Sequence, residues 1–76
     1  MSSNVKRWNS LILSLTQEEK EWILDNPQET IAREMLDFDD SIRMRTSNYP
    51  EETDIIQMKR LIGKLRVRME EIENEG

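Results

Sequence analysis

The chain has 76 residues, of which 36% are hydrophobic and 36% charged, and its formal net charge is −5. It contains no cysteine and no histidine, so disulfide bonds, thiolate chemistry, the common zinc sites and imidazole-based catalysis are excluded. No apolar run is longer than the three residues of Leu11 to Leu13, which is far too short to cross a bilayer. We therefore expect a cytoplasmic protein without a metal or another cofactor.

The composition favours helix. Glycine and proline occur only twice each, aromatic residues amount to 5%, and no segment alternates between apolar and polar residues as a strand does. A chain of this length forms one small domain with a thin core. We predict an all-α fold for residues 1–76, with three or four helices in a bundle.

Two short helices are predicted at the start of the chain. Val5, Trp8 and Ile12 are spaced by three and four residues, which places them on one face of a helix over about 4–14. Thr16 and Glu19 have the spacing of a capping box, in which each side chain binds the other residue's backbone N–H. This box predicts a second helix over about 17–25, before Pro27.

A longer third helix is predicted over about 27–47. Asn26 is suited to capping its first turn, and Pro27 is suited to the first helical position. The apolar positions then recur at spacings of four, three and four residues: Ile31, Met35, Phe38 and Ile42.

The fourth helix is predicted over about 50–74, beginning at Pro50. Its apolar seam has spacings of three, four and three residues: Ile55, Met58, Ile62 and Leu65. Because only a short turn separates the two long helices, we expect an antiparallel hairpin with coiled-coil-like packing, on which the short helices dock. In this register Asp39 and Lys59 flank the seam and could pair.

Arg45 falls on the apolar seam of the third predicted helix. A buried guanidinium needs an acidic partner, and the sequence offers Glu51, Glu52 or Asp54 beyond the turn. The alternative is that the alkyl part of Arg45 packs while its charged end reaches water.

A basic stretch is the main candidate for a binding surface. Five cations occur between positions 59 and 68 without an intervening acid: Lys59, Arg60, Lys64, Arg66 and Arg68. On a helix they could contact phosphates or an acidic partner. They could equally form a solvated face balanced by acids of the neighbouring helices.

Three apolar residues of the last helix lie off its predicted seam, namely Ile56, Leu61 and Val67. We expect them to form a second apolar contact, either with the N-terminal helices or with another chain. Gly63 lies between them. Glycine destabilises a helix relative to alanine, so Gly63 indicates either a close approach of another helix or an exposed position where this loss of stability is tolerated.

Three further chemistries are open. Residues 30–45 resemble a helix-turn-helix with its turn at 36–40, although that turn has no glycine. Asp37, Asp39 and Ser41 have the alternating spacing of a calcium loop but lack its glycine and its final glutamate. A small helical enzyme could also use a pocket lined by arginine and lysine for electrostatic stabilisation.

The balance of these observations favours binding over catalysis. We expect a non-enzymatic regulatory inhibitor or adaptor, of the size of phage and plasmid accessory proteins, that binds a protein partner and could form a homodimer. The first alternative is a DNA-binding regulator that uses residues 59–68. It is the weaker candidate because the net charge of the chain is negative, which disfavours contact with phosphates.

Overall fold

The computed structural model describes residues 3–45 and 50–76, and within them it shows helices and no strand. The helices are α1 (Ser3–Leu13), α2 (Gln17–Asp25), α3 (Thr30–Arg43) and α4 (Glu52–Glu75). The predicted all-α helical bundle is confirmed. Across the described part of the chain, none of the helices combines the length and the apolar character that a bilayer crossing requires.

Helices α3 and α4 pack against each other in antiparallel orientation. Arg45, just after α3, pairs with Asp54 in the first turn of α4 at 2.6 Å. At the opposite end Arg68 of α4 pairs with Glu29, just before α3, at 2.8 Å. The predicted hairpin is therefore present. Its core contains buried residues from both helices: Ile31, Ala32, Met35, Ile42, Ile55, Met58, Leu61, Ile62 and Leu65.

The two short helices pack against different members of the hairpin, α1 against α4 and α2 against α3. Helix α1 runs parallel to α4. Arg7 hydrogen-bonds Glu52 at the start of α4, while Arg66, further along α4, donates to the carbonyl oxygen of Ser14 at 3.3 Å. Trp8 of α1 also contacts Phe38 of α3 edge-on, with ring centroids 5.8 Å apart.

The capping box predicted at the start of α2 is confirmed. The Thr16 hydroxyl accepts from the Glu19 N–H at 3.0 Å, and a Glu19 carboxylate oxygen accepts from the Thr16 N–H at 2.9 Å. Both bonds satisfy backbone donors that the first turn of a helix leaves without partners.

The predicted start of α3 at Asn26 and Pro27 is wrong. Asn26 instead ends α2, because its backbone N–H and its side-chain amide both donate to the carbonyl oxygen of Trp22, at 3.0 and 2.9 Å. The chain then turns, with the Glu29 N–H donating to the Asn26 carbonyl oxygen at 2.9 Å. Helix α3 consequently begins at Thr30, with Glu29 as its N-cap.

The start of α4 also differs from the prediction. Pro50 is buried before the helix, and Glu51 is the N-cap. Asp54 fixes this position by accepting the Glu51 N–H at 2.9 Å. The predicted last residues of the third helix, 46–47, and the rest of the connection up to 49 lie outside the described residues.

Of the two contacts expected for Leu61, the structure shows the one within the chain. The exposed fraction of Leu61 is only 2%. Helix α4 is contacted by both α1 and α3, so its buried arc is wider than the two-position seam of a simple hairpin. Leu61 lies within this wider arc and belongs to the core.

Candidate functional site

An open cleft with apolar walls lies where the four described helices meet. Its volume is about 310 Å³, at the lower end of the roughly 300–1,000 Å³ range of ligand pockets. We call it the apolar cleft. Its apolar walls are formed by Ile12, Leu15, Ile23, Leu24, Met35, Leu36 and Met58.

The cleft follows from the way the two short helices dock. Because α1 packs on α4 while α2 packs on α3, the two short helices leave a gap between them. Ile12 and Leu15 line this gap at the end of α1, and Ile23 and Leu24 line it from α2. Leu24 is 68% exposed, so part of the apolar wall faces solvent.

Three charged residues also line the cleft, namely Lys20, Asp39 and Arg43. The Arg43 Nε donates to Asp39 Oδ2 at 2.8 Å, one helical turn away. The predicted pair between Asp39 and Lys59 is wrong. Asp39 pairs with Arg43 of its own helix instead, and this contact does not depend on the register between α3 and α4. The second oxygen of Asp39 is buried and accepts no hydrogen bond from the described residues. The cleft thus combines apolar walls, two cations and a carboxylate with an unused acceptor.

Two residues of the basic stretch take part in the fold. Arg66 donates to Glu19 at 3.0 Å, and Arg68 donates to Glu29 at 2.8 Å. The hydrogen bond from Arg66 lowers the pKa of Glu19, and the one from Arg68 lowers the pKa of Glu29. These two arginines are therefore balanced by acids of neighbouring segments.

The other three cations of the stretch, Lys59, Arg60 and Lys64, are exposed on α4. Among residues 3–45 and 50–76, none of them has an acidic partner within 4 Å. Ile56 and Val67 lie on the same helix and are 42% and 58% exposed. The predicted binding residues are therefore divided among the core, the internal ion pairs and this exposed face.

Arg45 has the acidic partner that the sequence offered. Asp54 Oδ2 accepts from Arg45 Nη1 at 2.6 Å and from the Glu51 N–H, although Asp54 is itself only 7% exposed. The Arg45 side chain remains 41% exposed, so its charge is not buried. This pair joins the two sides of the connection between α3 and α4, and it is a structural element.

The two loop motifs considered in residues 30–45 are not formed. Helix α3 is continuous from Thr30 to Arg43, so residues 36–40 are helical and no turn separates a recognition helix. Asp37, Asp39 and Ser41 also lie within this helix, which lacks the loop that wraps a calcium ion. Because the backbone hydrogen bonds and the apolar stripe of α3 continue through these residues, neither the turn nor the calcium loop forms.

The apolar cleft was not among the sites predicted from the sequence. One signal for it was present, because Trp22, Ile23 and Leu24 are consecutive and span too wide an arc for a single helix contact. Only Ile23 of the three is buried. The docking of α1 on α4, which opens the gap, depends on long-range packing that periodicity does not report.

A comparison with protein-family models finds no match, and searches of curated proteins and of solved structures find no similar protein.

Proposed function

We propose that this protein is a non-enzymatic binding module, an inhibitor or adaptor, whose apolar cleft receives apolar side chains of a protein partner. The observation that carries this proposal is the cleft itself, with an exposed Leu24 beside the buried Ile23 and Met35. Apolar surface left open at a helix junction gives a partner a surface to cover.

The apolar walls of the cleft are suited to apolar anchors on a helical segment of the partner. An amphipathic helix presents apolar anchors at spacings of three and four residues, and a groove between helices accepts them. Covering the cleft would remove the apolar walls from water, at a gain of about 25 cal/mol per Å² of buried area. Lys20 and Arg43, which also line the cleft, would then contact polar groups of the partner.

Two observations support this proposal over DNA binding and catalysis. Arg66 and Arg68 are paired with acids of the same chain, which reduces the positive charge available to phosphates. Seven of the ten residues that line the cleft are apolar. Apolar walls offer nothing to a phosphate backbone, whereas they can pack against apolar side chains of a protein.

The proposal is tested by affinity capture from the source cell with matched variants. Leu24→Asp places a charge in the cleft wall at an exposed position, so the fold should tolerate it. Leu13→Asp is the control, because Leu13 is 75% exposed and does not line the cleft. We expect Leu24→Asp to lose a partner that the parent and Leu13→Asp retain. Equal capture by all three proteins would contradict the cleft as the binding site.

The methionines provide a direct readout once a partner is captured. Met35 and Met58 line the cleft, whereas Met44 is 80% exposed and lies outside it. With ¹³C-methyl labelling, the partner should shift the signals of Met35 and Met58 and leave that of Met44 unchanged. A shift at Met44 alone would place the contact elsewhere.

A further inference from the structure

The side of α4 turned away from the other helices carries a regular stripe of exposed residues. Its positions recur at spacings of 4, 3, 4, 3 and 4 residues, which keeps them on one line along the helix. We call it the outer stripe: Ile56, Arg60, Gly63, Val67, Glu70 and Asn74. The core residues Met58 and Leu65 lie on the opposite side of the same helix, so a partner on the outer stripe would not displace α1 or α3.

The charges along α4 are divided by position. Residues 55–69 contain five cations and no acid, whereas residues 70–76 contain four acids and no cation. On the exposed face, Lys59, Arg60 and Lys64 precede Glu70 and Glu71. None of these five residues has an ionic partner on another described helix within 4 Å. A helix of this kind is complementary to a reversed copy of itself.

We propose that the outer stripe binds a second copy of this chain in antiparallel orientation, about a two-fold axis at the level of Leu65. The spacing of the stripe is the same in both directions, which an antiparallel pair of identical helices requires. Arg60 of each copy then lies opposite Glu70 of the other copy. Lys59 comes near the acidic end of the second α4 in the same register.

The same register places Val67 of each copy over Gly63 of the other. An ideal Cβ at Gly63 would meet no atom within 4 Å, so glycine is not required there by packing within the chain. A glycine inside a long helix is otherwise unfavourable. The small residue leaves room for the Val67 side chain, and Ile56 lies near the end of the second helix. The apolar cleft stays open, because it lies on the other side of α4.

Charge reversal at two positions tests this pairing without depending on the core. Arg60→Glu places two glutamates opposite each other at both ends of the paired stripe, and Glu70→Arg places two arginines there. By sedimentation equilibrium at low salt, we expect the parent to dimerise and each variant to dimerise at least about tenfold more weakly. Asp40→Arg is the control for the second variant, because it makes the same change in net charge on α3, and it should dimerise like the parent.

Mixing the two variants gives the decisive result. An Arg60→Glu chain has two acids in the stripe and a Glu70→Arg chain has two arginines, so an equimolar mixture should form a heterodimer more tightly than either variant dimerises alone. Helical circular dichroism of each variant verifies its fold. A parent that stays monomeric at about 1 mM, variants that dimerise like the parent, or a mixture that stays monomeric would each overturn the proposal.

Discussion

Glu19 connects the start of α2 to the middle of α4, through Arg66, which is 47 positions away in the sequence. One oxygen of Glu19 closes the capping box with the Thr16 N–H, and the other accepts from Arg66 Nε at 3.0 Å. The same arginine also donates to the Ser14 carbonyl oxygen. A single ion pair therefore fixes the turn between α1 and α2 against α4.

A double-mutant cycle should measure this connection. We expect Glu19→Gln and Arg66→Met each to lower the free energy of unfolding, with a coupling between them of about 0.5–1 kcal/mol. Urea unfolding at low protein concentration supplies the four stabilities. Arg60→Met is the control, because Arg60 has no acidic partner within the described residues, and its coupling to Glu19→Gln should be close to zero. Equal coupling in both cycles would contradict a specific pair.

The acid stability should depend on the same carboxylates. Arginine hydrogen bonds lower the pKa of Glu19, Glu29 and Glu52 from the ordinary value of 4.5. A lowered pKa in the folded state contributes stability that is complete above pH 4.5 and is lost as the pH falls through the folded pKa. The difference in Tm between the parent and Glu19→Gln should stay constant from about pH 7 to 5 and close below pH 4.5. A difference that persists at about pH 2 would show that the ionised carboxylate is not its source.

The core assignment of α4 predicts a contrast between two aspartate substitutions. Ile62 is 5% exposed, so Ile62→Asp buries an unpaired charge and should unfold the protein, at a cost of several kcal/mol. Gln57 is exposed, and Gln57→Asp should change the stability by about 0.5 kcal/mol or less. Thermal melting by circular dichroism distinguishes them. Similar melting of both variants and the parent would show that the buried face is wrongly assigned.

Binding to DNA should be negligible at physiological salt. The net charge is −5, and two of the five cations in the basic stretch are paired internally. Fluorescence anisotropy with a labelled duplex over a salt series is the measurement. Phosphate contacts release counterions, so affinity that depends on them falls steeply as the salt concentration rises. Sub-micromolar, salt-sensitive binding that Arg60→Glu and Lys64→Glu abolish would favour the DNA-binding alternative.

Local signals in the sequence predicted the helices well. The capping box at Thr16 and Glu19 and the apolar spacing of α4 are formed by neighbouring residues, so they are readable without the tertiary structure. The start of α3 was misplaced because Asn26 can cap a helix at either end, and its amide binds the Trp22 carbonyl instead. Proline after an asparagine does not distinguish these two uses.

The candidate site was harder to predict from the sequence than the helices were. The exposed positions of Ile56 and Val67 follow from helical periodicity, whereas the burial of Leu61 depends on two helices packing against α4. Charge alone also could not separate Arg66 and Arg68, which pair with acids 47 and 39 positions away, from the exposed Arg60. Long-range pairs of this kind are set by the docking of helices.

The docking of α1 on α4 has a consequence for the order of folding. Helices α2, α3 and α4 contact their neighbours in the sequence, whereas α1 must meet a helix from which α2 and α3 separate it. Contacts that close longer loops form more slowly, so α1 is expected to join last. Trp8 is buried by this step, so in a Trp22→Phe variant its fluorescence should report the final phase of refolding, after the helical signal has largely recovered.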